Sequence, residues 1–307
     1  MPKIRYVDGG FRTKWGRVVK QATDILDDYR GRGLLPISMR TLWYQMVARG
    51  HLANQRTVML AFYRRMVEAR EYGMVDWTDI VEEGRNVQGY RSYTHPADAI
   101  DPSEYRVDRW RGQAYRPEVW VEKAAQVSMV ERACEPYRVT FAAWGGFSSA
   151  TAIWRAAQRF EKQTLESLRG DPLPVVLYLG DHDPAGLRMD AEDLPKRLDT
   201  YSHGKAPEIR RVALTIDQIR QYNLPPNLVD PEKNARDTNY VWYRANTGQR
   251  LMWEMDALAP ENLQALIEAA IEDLITDRAA WQRQADLEDL GREQIRKVVD
   301  QLREDVS

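Results

Sequence analysis

Apolar residues recur at helical spacing through the first 70 residues. A first helix is predicted over residues 14–30, which carry Trp15, Val18, Val19, Ala22, Ile25 and Leu26 and end at Gly31. Ser38 can cap a second helix, TLWYQMVARG, and Asn54 can cap a third, TVMLAFYRRMVEAREYG. Two helices joined by a short turn and followed by MVDWTDIVEEG are typical of a winged helix-turn-helix. A plain helical bundle is the alternative.

The pattern changes after Pro117 to alternating strands and helices. Strands are predicted at EVWVE, YRVTFAAW, PVVLYLG and IRRVAL, and helices at AAQVSMVERACEP, SSATAIWRAAQRFEKQTLESL and AGLRMDAEDLPKRL. Such alternation predicts a mostly parallel sheet with helices on both faces. Near the end, one helical stripe contains Leu263, Leu266, Ile267, Ala270 and Ile271, and we interpret it as a packing or dimer element.

These patterns divide the chain into four parts. We expect a helical, winged-helix domain over 1–84, an Arg- and aromatic-rich linker over 85–116, a mostly parallel α/β domain over 117–259, and a C-terminal helical segment over 260–307. The fold class is therefore α/β, or α+β for the chain as a whole. Arginines and aromatics in the linker could contact DNA. The favoured interpretation is a solvated linker whose aromatics pack on a neighbouring domain.

Composition narrows the functional class. With 43% apolar and 29% charged residues the chain is globular, and its single cysteine, Cys134, excludes an intrachain disulfide framework and a Cys-rich zinc site. No signal core and no apolar run of 18 residues is visible, so we expect a soluble, cytoplasmic protein without a membrane partner.

Charge is distributed unevenly. Residues 1–118 carry a net charge of +5 and the remainder −7. A basic front suits nucleic acid as a partner. In the third helix, Arg64, Arg65 and Arg70 could face the phosphate backbone of double-stranded DNA, and Lys123 is a further candidate contact.

Three acids fall at predicted strand ends. Glu122 closes EVWVE, and Asp181 and Asp183 follow PVVLYLG in the string GDHDPAG. Reactive groups in open α/β sheets lie at the carboxyl ends of strands, and carboxylate oxygens are ligands that Mg²⁺ prefers. We expect these acids to bind Mg²⁺, with His182 pointing away. The simpler alternative is that Asp183 only caps the next helix.

At these residues the sequence resembles the Toprim domain of topoisomerases, primases and OLD-family nucleases. The resemblance rests on the strand that ends in Glu122-Lys123, on GDHDPAG, and on the Gly145-Gly146 turn after YRVTFAAW. It implies that Glu122, Asp181 and Asp183 hold the metal and that Glu122 acts as general acid or base in DNA cleavage.

The order of the two domains resembles the A subunit of topoisomerase VI and the related meiotic double-strand-break proteins. In MRTLWYQMV, the resemblance places the catalytic tyrosine at Tyr44, and Arg40 lies one turn away. It implies a homodimer in which Tyr44 of one subunit attacks DNA at the metal site of the other and becomes linked to a 5′ phosphate. The later string WEMDAL also resembles a family segment, so Glu254 and Asp256 are expected to support the fold or the metal.

Two departures limit the resemblance. GGFSSATAIWR lacks the family's Thr-Arg pair, and the chain has no nucleotide-binding loop, so strand passage would need a separate ATPase B-type subunit. The chain is most similar to compact, stand-alone A-like proteins, either nucleoid-associated or encoded by a phage. Two other functions stay open: a Toprim endonuclease that hydrolyses DNA with water, and a non-catalytic DNA-binding subunit.

Overall fold

A computed structural model describes residues 3, 5–11, 14–81, 92–144, 150–227 and 237–305. The chain is an α/β protein, as the alternation of strands and helices predicts. Two predicted features lie outside the described residues: the Gly145-Gly146 turn, and the chain from 82 to 91, which includes the first part of the linker.

Three helices form the front of the molecule: α1 (Lys14–Gly31), α2 (Met39–Ala48) and α3 (Arg56–Glu71). Their apolar faces share one core with the largest side chains Tyr29, Trp43, Tyr44 and Phe62. As predicted, the Ser38 hydroxyl caps α2 by accepting the Thr41 N–H at 2.9 Å. The predicted Asn54 cap is wrong: the Asn54 amide donates to the Pro226 carbonyl at 2.9 Å, and α3 begins without a side-chain cap.

A winged helix requires strands beside these helices. The described residues here contain β1 (Ile37–Ser38) and β2 (Ile80–Val81), which pair in parallel over two residues. The helix pair matches the prediction, whereas the wing stays a prediction because the chain after Val81 is outside the described range.

A four-stranded parallel sheet forms the centre of the second half. Its strands are β3 (Tyr115–Val121), β4 (Thr140–Ala143), β5 (Leu173–Leu179) and β6 (Glu208–Ala213), in the spatial order β4-β3-β5-β6. Alternate residues of β3 and β5 face opposite sides: Val119 and Leu177 enter one core, and Trp120 and Val176 the other. Both faces are buried, as expected for parallel strands joined by helices.

Helices cover the two faces of the sheet. The connecting helices are α4 (Val127–Cys134), α5 (Ala150–Ser167), α6 (Pro184–Arg188) and α7 (Leu194–Tyr201), and a π-helical turn, Met189–Asp193, joins the last two. They are followed by α8 (Ile216–Gln221), α9 (Thr238–Thr247), α10 (Pro260–Glu272) and α11 (Arg278–Asp305). The predicted stripe is correct in α10, whose Leu263, Ile267 and Ile271 are buried in the core of the sheet.

The second half of the predicted linker packs against the body of the protein. Trp110 is buried edge-on against Trp281, with ring centroids 5.0 Å apart, and its indole N–H donates to the Tyr137 carbonyl at 3.0 Å. This favours the packing interpretation for Trp110 over DNA contact.

Glu288 of α11 holds this region together. Its side chain is 0% exposed and lies among three guanidinium groups, with Nη2 atoms at 2.7 Å in Arg138, 2.8 Å in Arg292 and 3.2 Å in Arg109. The Val107 N–H also donates to Glu288, at 3.1 Å. Burial alone would raise the pKa of Glu288, but the hydrogen bonds from Arg138 and Val107 and the charge of Arg109 lower this pKa to about 2.

None of the helices in the described residues is both long enough and apolar enough to cross a membrane.

We predict that Glu288→Gln destabilises the protein by roughly 2–4 kcal/mol at pH 7, because three arginines lose a buried carboxylate partner. The lowered pKa means that this stabilisation is present above the ordinary pKa of 4.5 and is lost as the pH falls toward 2. Urea denaturation at pH 7 and pH 3 should therefore show a smaller difference from wild type at pH 3. Glu293→Gln, on the exposed side of the same helix, is the control and should stay within about 0.5 kcal/mol of wild type. Equal losses of stability in Glu288→Gln and Glu293→Gln would contradict the structural role given to Glu288.

Candidate functional site

The sheet order determines where a site can form. From β3 the chain moves to β4 on one side, then crosses to β5 on the other, so the direction of winding reverses between β3 and β5. Ligands of open α/β sheets bind in the crevice outside the carboxyl ends of strands at such a reversal. Glu122 directly follows β3, and Asp181 and Asp183 follow β5. The three predicted acids therefore lie at this point.

Backbone N–H groups orient all three carboxylates. Glu122 Oε2 accepts the Asp181 N–H at 3.0 Å, which ties the end of β3 to the end of β5. Asp181 Oδ1 accepts the Met255 N–H at 2.8 Å, and Asp183 Oδ1 accepts the Gly186 N–H at 2.7 Å. Asp183 thus caps α6, as the simpler interpretation predicted, while its second oxygen accepts no hydrogen bond within the described part of the chain.

Two glycines permit this close approach. A Cβ atom on Gly186 would lie 2.5 Å from the Asp181 carbonyl oxygen and 3.1 Å from Glu122 Oε2. One on Gly180 would lie 3.0 Å from the same Glu122 oxygen. The glycines of GDHDPAG are therefore required by packing around the acids.

Lys123, a candidate DNA contact, lies among three carboxylates. Its ammonium lies 2.8 Å from Asp181 Oδ2, 2.8 Å from Asp256 Oδ2 and 3.4 Å from Glu254 Oε2. Burial opposes the charged form, but these three carboxylates outweigh it and raise the pKa of Lys123. Lys123 is an internal counter-ion in this structure, and its position does not support the predicted DNA contact.

The network extends to α2. The Ser38 and Thr41 hydroxyls donate to Asp256 Oδ1 at 3.0 and 3.2 Å, and the Arg40 guanidinium forms an ion pair with Glu254. The helix that carries Tyr44 is therefore fastened to the acid site of its own chain, and Glu254 and Asp256 provide the support predicted for WEMDAL.

Tyr44 faces this network from inside the front core and is only 1% exposed. Burial raises the pKa of its hydroxyl far above the ordinary value, and the charge of Glu254 adds to the rise. Arg40 and Lys123 act in the opposite direction without compensating for burial. The structure thus brings Tyr44 and Arg40 to the acids but leaves the tyrosine covered.

Sequence reasoning missed Tyr63. This residue of α3 is less buried than Tyr44, and burial raises the pKa of its hydroxyl to about 12. The charges of Arg40, Asp256 and Glu254 also act on this hydroxyl, so it faces the same network. Only the packing of α3 beside α2 reveals it.

Arg211 of β6 was also missed. Its guanidinium donates to the carbonyls of Gly180 at 2.9 Å and Gly186 at 2.8 Å, and it is paired with Asp190 at 2.8 Å. It therefore supports both ends of the loop that carries Asp181 and Asp183. The sequence signal that could have identified Arg211 is its position within the largely apolar strand IRRVAL.

His182 points away from the acids, as predicted. Its Nδ1 lies 3.1 Å from the Leu214 carbonyl oxygen, and its ring is held edge-on between Tyr243 and Trp253. Burial lowers the pKa of this imidazole, so the ring is neutral near pH 7.

The three predicted arginines of α3 differ in position. Arg64 is exposed, and Arg65 is paired with Glu68 at 2.6 Å. Arg70 is only 3% exposed, with its guanidinium 5.0 Å from the Trp77 ring centroid. The structure therefore buries Arg70 rather than presenting it to a phosphate backbone.

The negative charge of the site is only partly compensated. Burial raises the pKa of Glu122, and the charge of Asp183 raises it further. Burial is the main cause that raises the pKa of Asp181 to about 7. The charge of Lys123 lowers this pKa, and the charges of Glu122 and Asp183 raise it. Carboxylates that repel one another in this way suit a divalent cation with oxygen ligands.

A closed metal cage is not formed. Among the residues that the structure describes, no group of three or more His, Cys, Asp or Glu side chains is arranged to hold a metal ion. Asp181 is engaged by Lys123 and Met255, which leaves Glu122 and Asp183 as the more available ligands. One or two carboxylates are enough for Mg²⁺, which keeps waters and binds substrate phosphates. The donor set therefore fits Mg²⁺ as an open site.

We predict that Gly186→Ala destabilises the protein by roughly 1–3 kcal/mol, because the new methyl group overlaps the Asp181 carbonyl. Urea denaturation measures the change. Gly10→Ala is the control, since a Cβ there meets nothing within 4 Å. A Gly186→Ala protein as stable as the control variant would show that the loop relaxes freely.

The raised pKa of Asp181 predicts a pH trend. The folded state retains a proton that the unfolded chain has lost, so the stability contributed by Asp181 is present below about pH 4 and is lost as the pH rises through about 7. Relative to Asp181→Asn, which cannot ionise, wild type should lose free energy of unfolding between pH 4 and pH 8. The opposite slope would mean that the ion pair with Lys123 dominates.

Comparison of the chain with protein-family models, with curated proteins and with solved structures finds no match. A functional assignment therefore depends on the chemistry of the site.

Proposed function

We propose that this chain is a Mg²⁺-dependent enzyme that cuts the phosphodiester backbone of double-stranded DNA, in the manner of the A subunit of topoisomerase VI. One observation carries the proposal: Glu122, Asp181 and Asp183 converge at the topological reversal of a parallel sheet with their charges only partly compensated. Such an arrangement is costly for stability and suits phosphoryl chemistry.

Glu122 and Asp183, with Asp181 beside them, would hold the ion. Mg²⁺ supplies positive charge to the phosphoryl group. Burial raises the pKa of Glu122, which favours its role as the proposed general acid that donates a proton to the leaving 3′ oxygen. The Asp181 N–H fixes the orientation of the Glu122 carboxyl group for this role.

Tyr44 is the proposed nucleophile. Its oxygen would form a bond to phosphorus while the bond from phosphorus to the 3′ oxygen breaks, which leaves a 5′-phosphotyrosine. The phenolic proton passes to solvent water before the attack, and Arg40 favours the ionised form of the tyrosine. Because Tyr44 is 1% exposed, α2 must shift before it can reach a phosphate. As in the related proteins, we expect a homodimer, with a separate ATPase subunit needed for any strand passage.

A second candidate is a Toprim endonuclease in which water replaces the tyrosine. The burial of Tyr44 favours it, since Glu122 and Asp183 are more exposed and need no movement of α2. In that case Tyr44 is a core residue and no covalent intermediate forms.

One experiment tests the proposal. Supercoiled plasmid is incubated with protein and Mg²⁺ or with EDTA, denatured, and examined both for strand breaks and for protein linked to DNA ends. We expect wild type to cut only with Mg²⁺ and to form a covalent complex. Glu122→Gln should lower cutting by about 100-fold or more, because proton donation is lost. Tyr44→Phe should abolish the covalent complex.

Tyr63→Phe is the matched control, because it removes a neighbouring hydroxyl that faces the same charges. If Tyr63→Phe loses the complex and Tyr44→Phe keeps it, the nucleophile is Tyr63. Full cutting by Tyr44→Phe without any covalent complex would establish hydrolysis by water. Unchanged cutting by Glu122→Gln would overturn the site assignment.

A further inference from the structure

The acid site needs cations that can hold DNA against its own negative charge. Within the described part of the chain, three cations around the acids are already engaged: Lys123 by three carboxylates, Arg40 by Glu254, and Arg211 by Asp190 and backbone carbonyls. A cation that leaves such a partner abandons a buried carboxylate, at a cost of several kcal/mol. Arginines without an internal acidic partner are therefore better suited to bind phosphates.

Helix α9 lies next to the loop of acids. It packs on α6, which begins directly after Asp183, and Arg188 of α6 donates to Asn239 at 2.8 Å. Trp242 of α9 also donates to Glu192, in the π-helical turn that follows α6, at 2.7 Å. Leu187 of α6 enters the small core formed by Tyr240, Tyr243 and Met252.

The segment after α9 returns to the acids. The Tyr240 and Tyr243 hydroxyls donate to the carbonyls of Arg250 and Leu251, at 3.3 and 2.7 Å. Trp253 then pairs with His182 through two backbone hydrogen bonds of 2.9 and 3.1 Å, between Asp181 and Asp183. Residues 238–253 therefore form one wall beside the acid loop, which we call the α9 wall.

The charge of the α9 wall is opposite to that of the region around it. Residues 119–307 carry a net charge of −7, yet 238–253 contain two arginines and no acid. Both Arg244 and Arg250 are exposed, and within the described residues neither forms a salt bridge. Exposed Asn246 donates to the Trp242 carbonyl at 2.8 Å, and its amide retains one further N–H. Unpaired arginines beside a metal-binding acid cluster are suited to a phosphate backbone.

We propose that the α9 wall is a binding surface for the sugar-phosphate backbone of duplex DNA, with Arg244 and Arg250 contacting phosphates that flank the scissile bond. This proposal rests on the proposed function for its substrate, but binding is measured separately from cutting. It also moves part of the DNA-binding surface from α3, where Arg70 is buried and Arg65 is paired, to the acidic half of the chain.

The test is the salt dependence of binding to a fluorescein-labelled DNA duplex, measured by anisotropy in EDTA so that no cutting occurs. Each phosphate contact contributes about 0.9 to the slope of log affinity against log salt. Arg244→Gln/Arg250→Gln should therefore lower the slope by about 2 and weaken binding roughly 10- to 60-fold at about 0.1 M NaCl.

Arg169→Gln/Arg283→Gln is the matched control, because it removes the same charge from exposed positions. Arg169 follows α5 and precedes β5, and Arg283 lies in the first turns of α11, whose start is bonded to the segment before β3. Both therefore lie toward the amino ends of the strands, opposite the acids. The control should keep the wild-type slope, and circular dichroism should show both proteins folded.

Each outcome separates the two proposals. Equal losses in both double variants, or none in Arg244→Gln/Arg250→Gln, would overturn the α9 wall even if the enzyme cuts DNA. A wild type that binds through the α9 wall but never cuts would overturn the enzyme while leaving the surface. A wild type without measurable affinity for DNA would overturn both.

Discussion

The ammonium group of Lys123 lies between carboxylates from two distant parts of the chain: Asp181 after β5, and Glu254 and Asp256 after α9. Three largely buried carboxylates cannot remain together without a cation, because each has lost most of its hydration. Lys123 itself follows β3, so the sheet, the acid loop and residues 254–256 are held in one place by one charge. Asp256 also accepts hydrogen bonds from the hydroxyls of Ser38, which caps α2, and of Thr41 in α2. The position of the front helices therefore depends on the ammonium group of Lys123 as well.

This arrangement separates two tasks. Orientation is provided by neutral backbone groups, since the N–H groups of Asp181, Met255 and Gly186 each hold one carboxylate of the predicted triad. Charge compensation is provided to Asp181 by Lys123 and is incomplete for the triad, because Glu122 and Asp183 form no salt bridge within the described residues. Oriented carboxylate oxygens with residual negative charge can bind a divalent cation more readily than carboxylates that are all paired with lysine or arginine.

What the sequence could predict follows from local rules. Continuously apolar strands such as β3 and β5, and helices such as α1 and α10, depend on neighbouring residues. Parallel strands then bring the ends that carry Glu122 and Asp181 to one edge of the sheet. The acidic partners of Lys123 and Arg211 could not be predicted, because they lie 21 to 133 residues away and are brought close only by packing. Asn54 illustrates the same limit: a local cap was expected, and a carbonyl 172 residues away replaced it.

The same network bears on how the backbone would be cut. Arg40 is shared between Glu254 and the hydroxyl of Tyr44, so a tyrosine mechanism must uncover the phenol and redirect a guanidinium that neutralises a buried carboxylate. Both changes cost free energy that substrate binding has to supply. Hydrolysis by water requires neither, because Glu122 and Asp183 are already the more exposed acids. The two mechanisms therefore differ in whether α2 moves, and the strength of its attachment through Glu254 and Asp256 decides between them.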